Sequence, residues 1–171
     1  DNNHSPCTIN RNTKQGDPLT DLLFNFFAAV ILKPIRSSLT DAGYGVAYSP
    51  VSTTLFGDLS PGVITDLSYV DDGAFSHEVS DNNKAVYDMQ TITAIVARAF
   101  YAHALLPNFK KGKSEWMICL RGPDSISVKS QIVVTRQAQL VCKVYDNHYV
   151  TADVVPLYQH LGNYATPSLK T

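Results

Sequence analysis

Apolar residues recur at helical spacing in two long stretches of the chain. In the first stretch, the apolar positions are Leu19, Leu22, Leu23, Phe26, Phe27, Val30 and Ile31. This spacing predicts a helix with one broad apolar face that packs inward. Asp17 suits the N-cap, and Pro18 suits the first helical position, where its missing N–H costs nothing. We expect Pro34 to end or kink this helix, because proline lacks the N–H that the helix ladder needs.

The second helical stretch begins after Ser80 or Asp81, either of which can cap it. It should run for about 20 residues. Its apolar stripe consists of Val86, Met89, Ile92, Val96, Ala99 and Phe100, and we interpret this stripe as core. The helix should end at His103-Ala104, before a turn at residues 105–108.

Short apolar and β-branched segments predict strands elsewhere in the chain. We expect short strands at 44–48 and 53–56 and a buried strand at 116–120. The last third of the chain predicts further strands at 125–128, 132–134, 140–145 and 149–155. Asp146-Asn147-His148 is a candidate hairpin turn between the last two of these strands.

One predicted hairpin carries two adjacent carboxylates. Residues 63–67 and 74–79 favour strands, and the segment between them contains Asp71, Asp72 and Gly73, which favour a tight turn. Adjacent acids repel each other and suit a core poorly, whereas a hard divalent cation prefers such oxygen ligands. Asp-Asp-Gly is also common turn chemistry. The motif alone therefore leaves a structural and a metal-binding interpretation open.

Two other short segments also have both a structural and a functional interpretation. Gln15-Gly16 is an ordinary loop before the first helix, or a place where the small glycine lets a ligand approach the backbone. The run Lys110-Lys111-Gly112-Lys113 is a solvated loop, or a cationic loop near phosphates. Neither segment decides between its two interpretations when it is considered alone.

Composition and charge limit the class of protein. The chain has 171 residues, of which 44% are hydrophobic and 17% charged, as in a globular protein with one core. Its net charge of −1 counts against autonomous nucleic-acid binding, which phosphate contacts dominate.

Cysteine usage and the absence of targeting patterns indicate the compartment. Cys7, Cys119 and Cys142 lack zinc-site spacing and predict reduced thiols. The sequence has no apolar run of membrane-spanning length, and its start at Asp1 has no signal-peptide pattern. We expect a fragment of an intracellular protein, in the nucleus or cytoplasm, that is neither secreted nor bound to a membrane.

The order of these motifs resembles the palm of a reverse transcriptase, most closely that of non-LTR (LINE-like) retrotransposons. Gln15 to Asn25 is similar to motif B of that family, Tyr69-Val70-Asp71-Asp72 to motif C, Leu105 to Asn108 with Lys113-Ser114-Glu115 to motif D, and Leu161-Gly162 to motif E. The resemblance covers residues 12–165. It implies an α+β fold, an incomplete palm in which two helices pack on one face of an antiparallel sheet. The whole chain, 1–171, would be one partial domain, with the palm core at 12–120 and a β-rich part at 121–165.

The resemblance also implies RNA-directed DNA synthesis by two-metal nucleotidyl transfer in the intact protein. The cofactor would be Mg²⁺ or Mn²⁺, with Asp71 as a ligand and Asp72 in a weaker or second-metal role. Lys113 would neutralise or protonate the leaving pyrophosphate. The remaining site residues would be Gln15 and Gly16 at the template base and nucleotide, and Tyr69, Val70, Leu161 and Gly162 at the primer. The implied partners are an RNA template, a DNA primer, deoxynucleoside triphosphates and the rest of a polyprotein with fingers, a thumb and, in some elements, an endonuclease.

The chain departs from the family's pattern in several places. Thr20-Asp21 replaces the usual Ser-Pro, Ala104 replaces a glycine, and the spacing from Asn108 to Lys113 is wide. Motif A, which supplies the first metal-binding aspartate, has no match in the sequence. We therefore expect the chain as given to be inactive as a polymerase.

Two alternatives stay open. The first is a degenerate, catalytically inactive retroelement remnant that binds nucleic acid weakly at most. The second is the palm of an RNA-dependent RNA polymerase, against which the Gln-Gly-Asp-Pro loop and the Leu-Gly ending count.

Overall fold

The fold is described from a computed structural model, for residues 18–48, 61–69, 72–160 and 163–165. The longer helices are α1 (Pro18–Asp41) and α2 (Ala85–Ala102), and a short α3 (Ser125–Ser130) continues into a π-helical turn (Gln131–Thr135). The strands are β1 (Val46–Tyr48), β2 (Gly62–Ile64), β3 (Asp66–Tyr69), β4 (Asp72–Phe75), β5 (Glu115–Trp116), β6 (Gln139–Tyr145), β7 (His148–Val154), β8 (Tyr158–His160) and β9 (Asn163–Ala165). None of the helices in these ranges is long and apolar enough to cross a membrane.

Within the described ranges the strands form four small sheets, where the sequence predicted one antiparallel sheet. Three are antiparallel pairs, β1–β2, β3–β4 and β8–β9. The fourth has the order β5-β7-β6, in which β7 pairs antiparallel with β6 and parallel with β5. The predicted α+β class is therefore confirmed at the level of helices with small, mainly antiparallel sheets.

Helix α2 is the central element, because it contributes to both buried clusters. Its first cluster packs against β6, β7 and the α3 segment and contains Ala85, Val86, Met89, Ala97, Leu120, Val128, Ile132, Leu140, Cys142, Val144, Val150 and Val154. The second cluster joins α2 to α1 and contains Ile31, Ile35, Leu39, Tyr44 and Ile92. Side chains of α2 also hold β6 by its backbone, since Gln90 Nε2 donates to the Val141 carbonyl at 2.7 Å and Arg98 Nε to the Val144 carbonyl at 2.5 Å.

The predicted ends of the second helix are confirmed. Asp81 accepts a hydrogen bond from the Asn83 N–H at 3.0 Å and caps a short 3₁₀ turn (Asn82–Lys84) that leads into α2. After Ala102 the His103 N–H donates to the Phe100 carbonyl at 3.0 Å, and Ala104 adopts a left-handed φ of 58°. The hairpin predicted around residues 146–148 is confirmed as well, as strands β6 and β7.

The structure corrects two expectations for the first helix. Helix α1 begins at Pro18, and its predicted N-cap, Asp17, lies outside the described residues. The helix does not end at Pro34 but continues to Asp41, so of the two predicted effects of Pro34 only the kink stays a prediction. Its predicted apolar face does not pack inward along its whole length, since Leu22, Phe26 and Val30 are 53%, 66% and 57% exposed. The buried positions are Ile31, Ile35 and Leu39, because only this later part of α1 lies against α2.

Two predicted strands are also wrong. Residues 125–128 and 132–134 are helical. Val128 and Ile132, four residues apart, are buried on one side, whereas Ile126, Val133 and Val134 are exposed. Burial on one helical face therefore overrides the β-propensity of these branched residues.

Other strand predictions hold in part. The strand expected at 116–120 is limited to Glu115–Trp116, and the one at 44–48 to Val46–Tyr48. The segment 53–56 lies outside the described residues, as does Cys7. Cys119 and Cys142 are free cysteines.

Candidate functional site

Strands β3 and β4 form the hairpin that the acidic motif predicted, but with different bounds. The predicted strand at 63–67 is divided between β2 and β3, and of the predicted strand at 74–79 only the first two residues lie in β4. Asp66 lies opposite Phe75, Leu67 opposite Ala74, Ser68 opposite Gly73, and Tyr69 opposite Asp72. Two residues, Val70 and Asp71, therefore connect the strands, and both lie outside the described residues. Since a two-stranded hairpin is barely stable alone in water, its position depends on what holds its base.

The first attachment of the hairpin is an ion pair between strand β3 and helix α1. Arg36 Nε donates to Asp66 Oδ1 at 2.8 Å, and Arg36 Nη2 donates to Asp66 Oδ2 at 2.9 Å. The Asp66 side chain is only 2% exposed, and Thr65 Oγ1 donates a further hydrogen bond to it at 3.0 Å. The hydrogen bonds from Arg36 lower the pKa of Asp66 below its ordinary value. Asp66 is therefore an anionic structural residue with its oxygens already in use.

Backbone hydrogen bonds attach the other strand where the chain leaves β4. The Ser76 N–H donates to the Thr65 carbonyl, and the Glu78 N–H donates to the Gly45 carbonyl, both at 3.0 Å. Gly45 has a φ of 140°, and a Cβ there would collide with the side chain of Val63. A residue with a side chain therefore does not fit at this crossing without displacing β2.

A cluster of three side chains strengthens this second attachment. His77 Nδ1 lies 3.3 Å from the Gly45 nitrogen, and His77 Nε2 lies 3.3 Å from Asp88 Oδ2. The Tyr44 hydroxyl donates to Asp88 Oδ1 at 3.4 Å, and the rings of Tyr44 and His77 meet edge to face with centroids 4.9 Å apart. Because the Gly45 N–H can only donate, Nδ1 of His77 accepts this hydrogen bond, and the tautomer that fits both contacts carries its proton on Nε2, which donates to Asp88. Burial raises the pKa of Tyr44, so its hydroxyl stays a donor.

An open cleft of about 300 Å³ lies beside this cluster. It is lined by the cluster itself together with Ser80, Lys84 and Tyr87. Sequence reasoning missed this cluster and the Arg36–Asp66 pair. One signal was present in the sequence: Asp88 is an acid within the apolar stripe of α2, and a buried acid requires a partner.

The residues predicted for the site are described only in part. Tyr69 ends β3 and Asp72 begins β4, so the hairpin register brings these two together. Lys113 is exposed and lies in a turn. Its backbone N–H donates to the Lys110 carbonyl at 3.0 Å. Leu161 and Gly162 connect β8 to β9, which pair antiparallel on either side of them. Six of the predicted residues lie outside the described ranges: Gln15, Gly16, Val70, Asp71, Leu161 and Gly162.

The donor set of the hairpin suits part of a magnesium site. Asp71 and Asp72 offer the carboxylate oxygens that Mg²⁺ prefers, and two such residues leave most of an octahedral shell to water, phosphates or a further acid. Within the described ranges, no group of three His, Cys, Asp or Glu side chains could hold a metal ion.

Comparisons of the chain with protein-family models, curated proteins and solved structures find no match.

Proposed function

We propose that this chain carries part of a reverse transcriptase palm and that it contributes to RNA-directed DNA synthesis in the intact protein. The observation that carries the proposal is the register of the acidic hairpin. Tyr69 pairs with Asp72, so Tyr69-Val70-Asp71-Asp72 spans the closed end of a two-stranded hairpin whose base is attached to α1 and α2. Two adjacent carboxylates at such an end suit a divalent cation better than a core.

The order of the described elements supports the same proposal. A helix that begins at Pro18 precedes the acidic hairpin, and α2, the lysine turn and β5 follow it. A second short hairpin surrounds Leu161-Gly162. This is the order in which the resemblance arranges motifs B to E.

In this proposal Asp71 and Asp72 hold Mg²⁺ or Mn²⁺ at the hairpin. A bound divalent cation would activate the primer 3′ hydroxyl and neutralise the triphosphate. Tyr69 and Val70 contact the primer end, and Lys113 neutralises or protonates the departing pyrophosphate. The other residues act as binding groups, with Gln15 and Gly16 at the template base and nucleotide, and Leu161 and Gly162 at the primer.

The proposal also includes a limit on this chain's activity. Nothing in the sequence matches the motif A aspartate, and two adjacent acids alone bind Mg²⁺ weakly because water must fill the rest of the shell. The isolated chain therefore should not extend a primer. Extension by the purified chain that is lost in Asp71→Ala would contradict this limit.

Binding of a labelled RNA template annealed to a DNA primer tests the proposal by fluorescence anisotropy. We expect Mn²⁺ to increase binding relative to EDTA, and Asp71→Asn to remove that increase. Asp146→Asn is the matched control, because Asp146 is a 97% exposed acid in the turn of another hairpin. Binding that is absent, or unchanged by Mn²⁺ and by Asp71→Asn, contradicts the proposal and favours the inactive remnant, with which the net charge of −1 also agrees.

A further inference from the structure

The cluster of Tyr44, His77 and Asp88 has no part in the proposed chemistry, yet it lies directly at the base of the acidic hairpin. His77 follows the end of β4 by two residues. Its partners come from two other parts of the fold, Gly45 and Tyr44 from the α1–β1 connection and Asp88 from helix α2. The cluster therefore joins the hairpin to two other parts of the fold at one point.

The hydrogen bonds of His77 exclude it as a free base or metal ligand. Nδ1 accepts from Gly45 and Nε2 donates to Asp88, so both ring nitrogens are in use. The side chains of His77 and Asp88 are 12% and 13% exposed. A histidine with both nitrogens engaged and little solvent contact holds its neighbours in place.

The bond to Gly45 depends on the protonation of His77. A proton on Nδ1 would place an N–H against the Gly45 N–H, so this hydrogen bond is lost in the charged imidazolium. Asp88 still accepts from Nε2 in both forms. The other titratable groups that line the adjacent cleft are Tyr44, Lys84 and Tyr87. In the structure Nδ1 of His77 faces the Gly45 N–H rather than any of these groups.

We propose that His77 is a positioning residue for the acidic hairpin: in its neutral form it ties the strand that carries Asp72 to Gly45, and its protonation releases that tie. Any effect of His77 on metal binding rests on the proposed role of Asp71 and Asp72. The hydrogen bonds that His77 makes to Gly45 and Asp88 are independent of that role, because they are contacts of the structure itself. Acidification should therefore loosen the hairpin base on the β4 side while the Arg36–Asp66 pair still holds β3.

Heteronuclear NMR of the full chain tests the tie without any metal. When the pH is lowered stepwise, we expect the Gly45 amide to shift with the same midpoint as the His77 ring. The amides of Gly73 and Ala74 on β4 should follow that midpoint. His148→Gln is the matched control, because His148 is exposed and its Nε2 contacts the Tyr101 hydroxyl on another part of α2. Gly45 and hairpin amides that do not follow the His77 ring would overturn the proposal.

Two variants extend the test to the metal. His77→Gln keeps an amide donor for Asp88 but does not titrate, so it should abolish the pH step and weaken Mn²⁺ binding by about 3- to 10-fold, the effect of one lost hydrogen bond. Tyr44→Phe, which leaves both nitrogens of His77 engaged, should keep the pH step. Mn²⁺ bound equally tightly by the wild type and His77→Gln at every pH would overturn the link to the metal. If the wild type binds no Mn²⁺, the proposed function fails, whereas the amide titration still decides the role of His77.

Discussion

Arg36 on helix α1 and Asp66 on strand β3 form a two-pronged ion pair, with both hydrogen bonds shorter than 3 Å. The Arg36 side chain is half exposed and the Asp66 side chain is almost fully buried. When a buried carboxylate loses its partner, its desolvation is no longer offset by a hydrogen bond, and the folded state is destabilised. This pair therefore decides how firmly the acidic hairpin is held on α1.

Replacing Arg36 tests this attachment. Arg36→Met should lower the free energy of unfolding by about 1–3 kcal/mol, because Asp66 stays buried with one hydrogen bond left. Urea denaturation followed by circular dichroism measures the change. Lys143→Met is the matched control, since Lys143 pairs with the exposed Asp146 at 3.1 Å and should show no measurable effect. Equal effects of the two substitutions would contradict the importance of the hairpin attachment.

The same pair predicts a pH dependence of stability. The hydrogen bonds from Arg36 lower the folded-state pKa of Asp66 below its ordinary value of 3.8. Asp66 therefore stabilises the fold above that value, and its contribution is lost as the pH falls through the lowered pKa. Asp66→Asn should reduce the unfolding free energy most near neutral pH, and the difference from the wild type should shrink below pH 3.8. A difference that stays constant between neutral and acidic pH would contradict this assignment.

Backbone geometry at Gly45 predicts a third effect. Gly45→Ala forces a side chain into a φ of 140° and onto Val63, and it should lower the unfolding free energy by about 1–3 kcal/mol. Gly43→Ala is the control, since its φ is also positive, at 78°, but nothing lies within 4 Å of the added Cβ. Thermal melts should therefore show a larger loss for Gly45→Ala. The opposite order would mean that the crossing of β2 and the hairpin exit is not tightly packed.

Helix α1 provides a fourth prediction, because its two halves differ in burial. Ile35→Ala should lower the unfolding free energy by about 2–5 kcal/mol, since Ile35 is fully buried and leaves a cavity. Phe26→Ser should change it by less than about 0.5 kcal/mol, since Phe26 is mostly exposed. Chemical denaturation of both variants gives the comparison. A large loss for Phe26→Ser would show that the early part of α1 is packed in solution.

Local patterns were sufficient to predict the two long helices and both longer hairpins, but not the helical segment at 125–135. The ends of α2 follow from Asp81 and the residues after Ala102, and the β6–β7 hairpin follows from two apolar, strand-like segments on either side of a polar turn. The acidic hairpin was predicted for the same reason, because Asp-Asp-Gly interrupts two strand-like segments. These features depend on neighbours in sequence, which a single chain reveals.

Features that depend on distant partners could not be predicted. The apolar face of α1 is continuous in sequence, and only contact with α2 decides that Ile31, Ile35 and Leu39 are its buried part. The segment that contains Val128 and Ile132 is helical rather than extended, because these two side chains are buried in one core with residues of α2 and β6. The hairpin is attached through Arg36–Asp66, which lie 30 positions apart, and through His77–Asp88, which lie 11 positions apart. No local spacing indicated either pair.

Mn²⁺ binding at the acidic hairpin tests the central claim most directly. Electron paramagnetic resonance titration of the full chain measures free Mn²⁺, and we expect weak binding, because two carboxylates supply only part of the coordination shell. Asp71→Asn should abolish it, and Asp146→Asn should leave it unchanged. Binding that survives Asp71→Asn and Asp72→Asn, or no binding by the wild type, would contradict the assignment of this hairpin as a metal site.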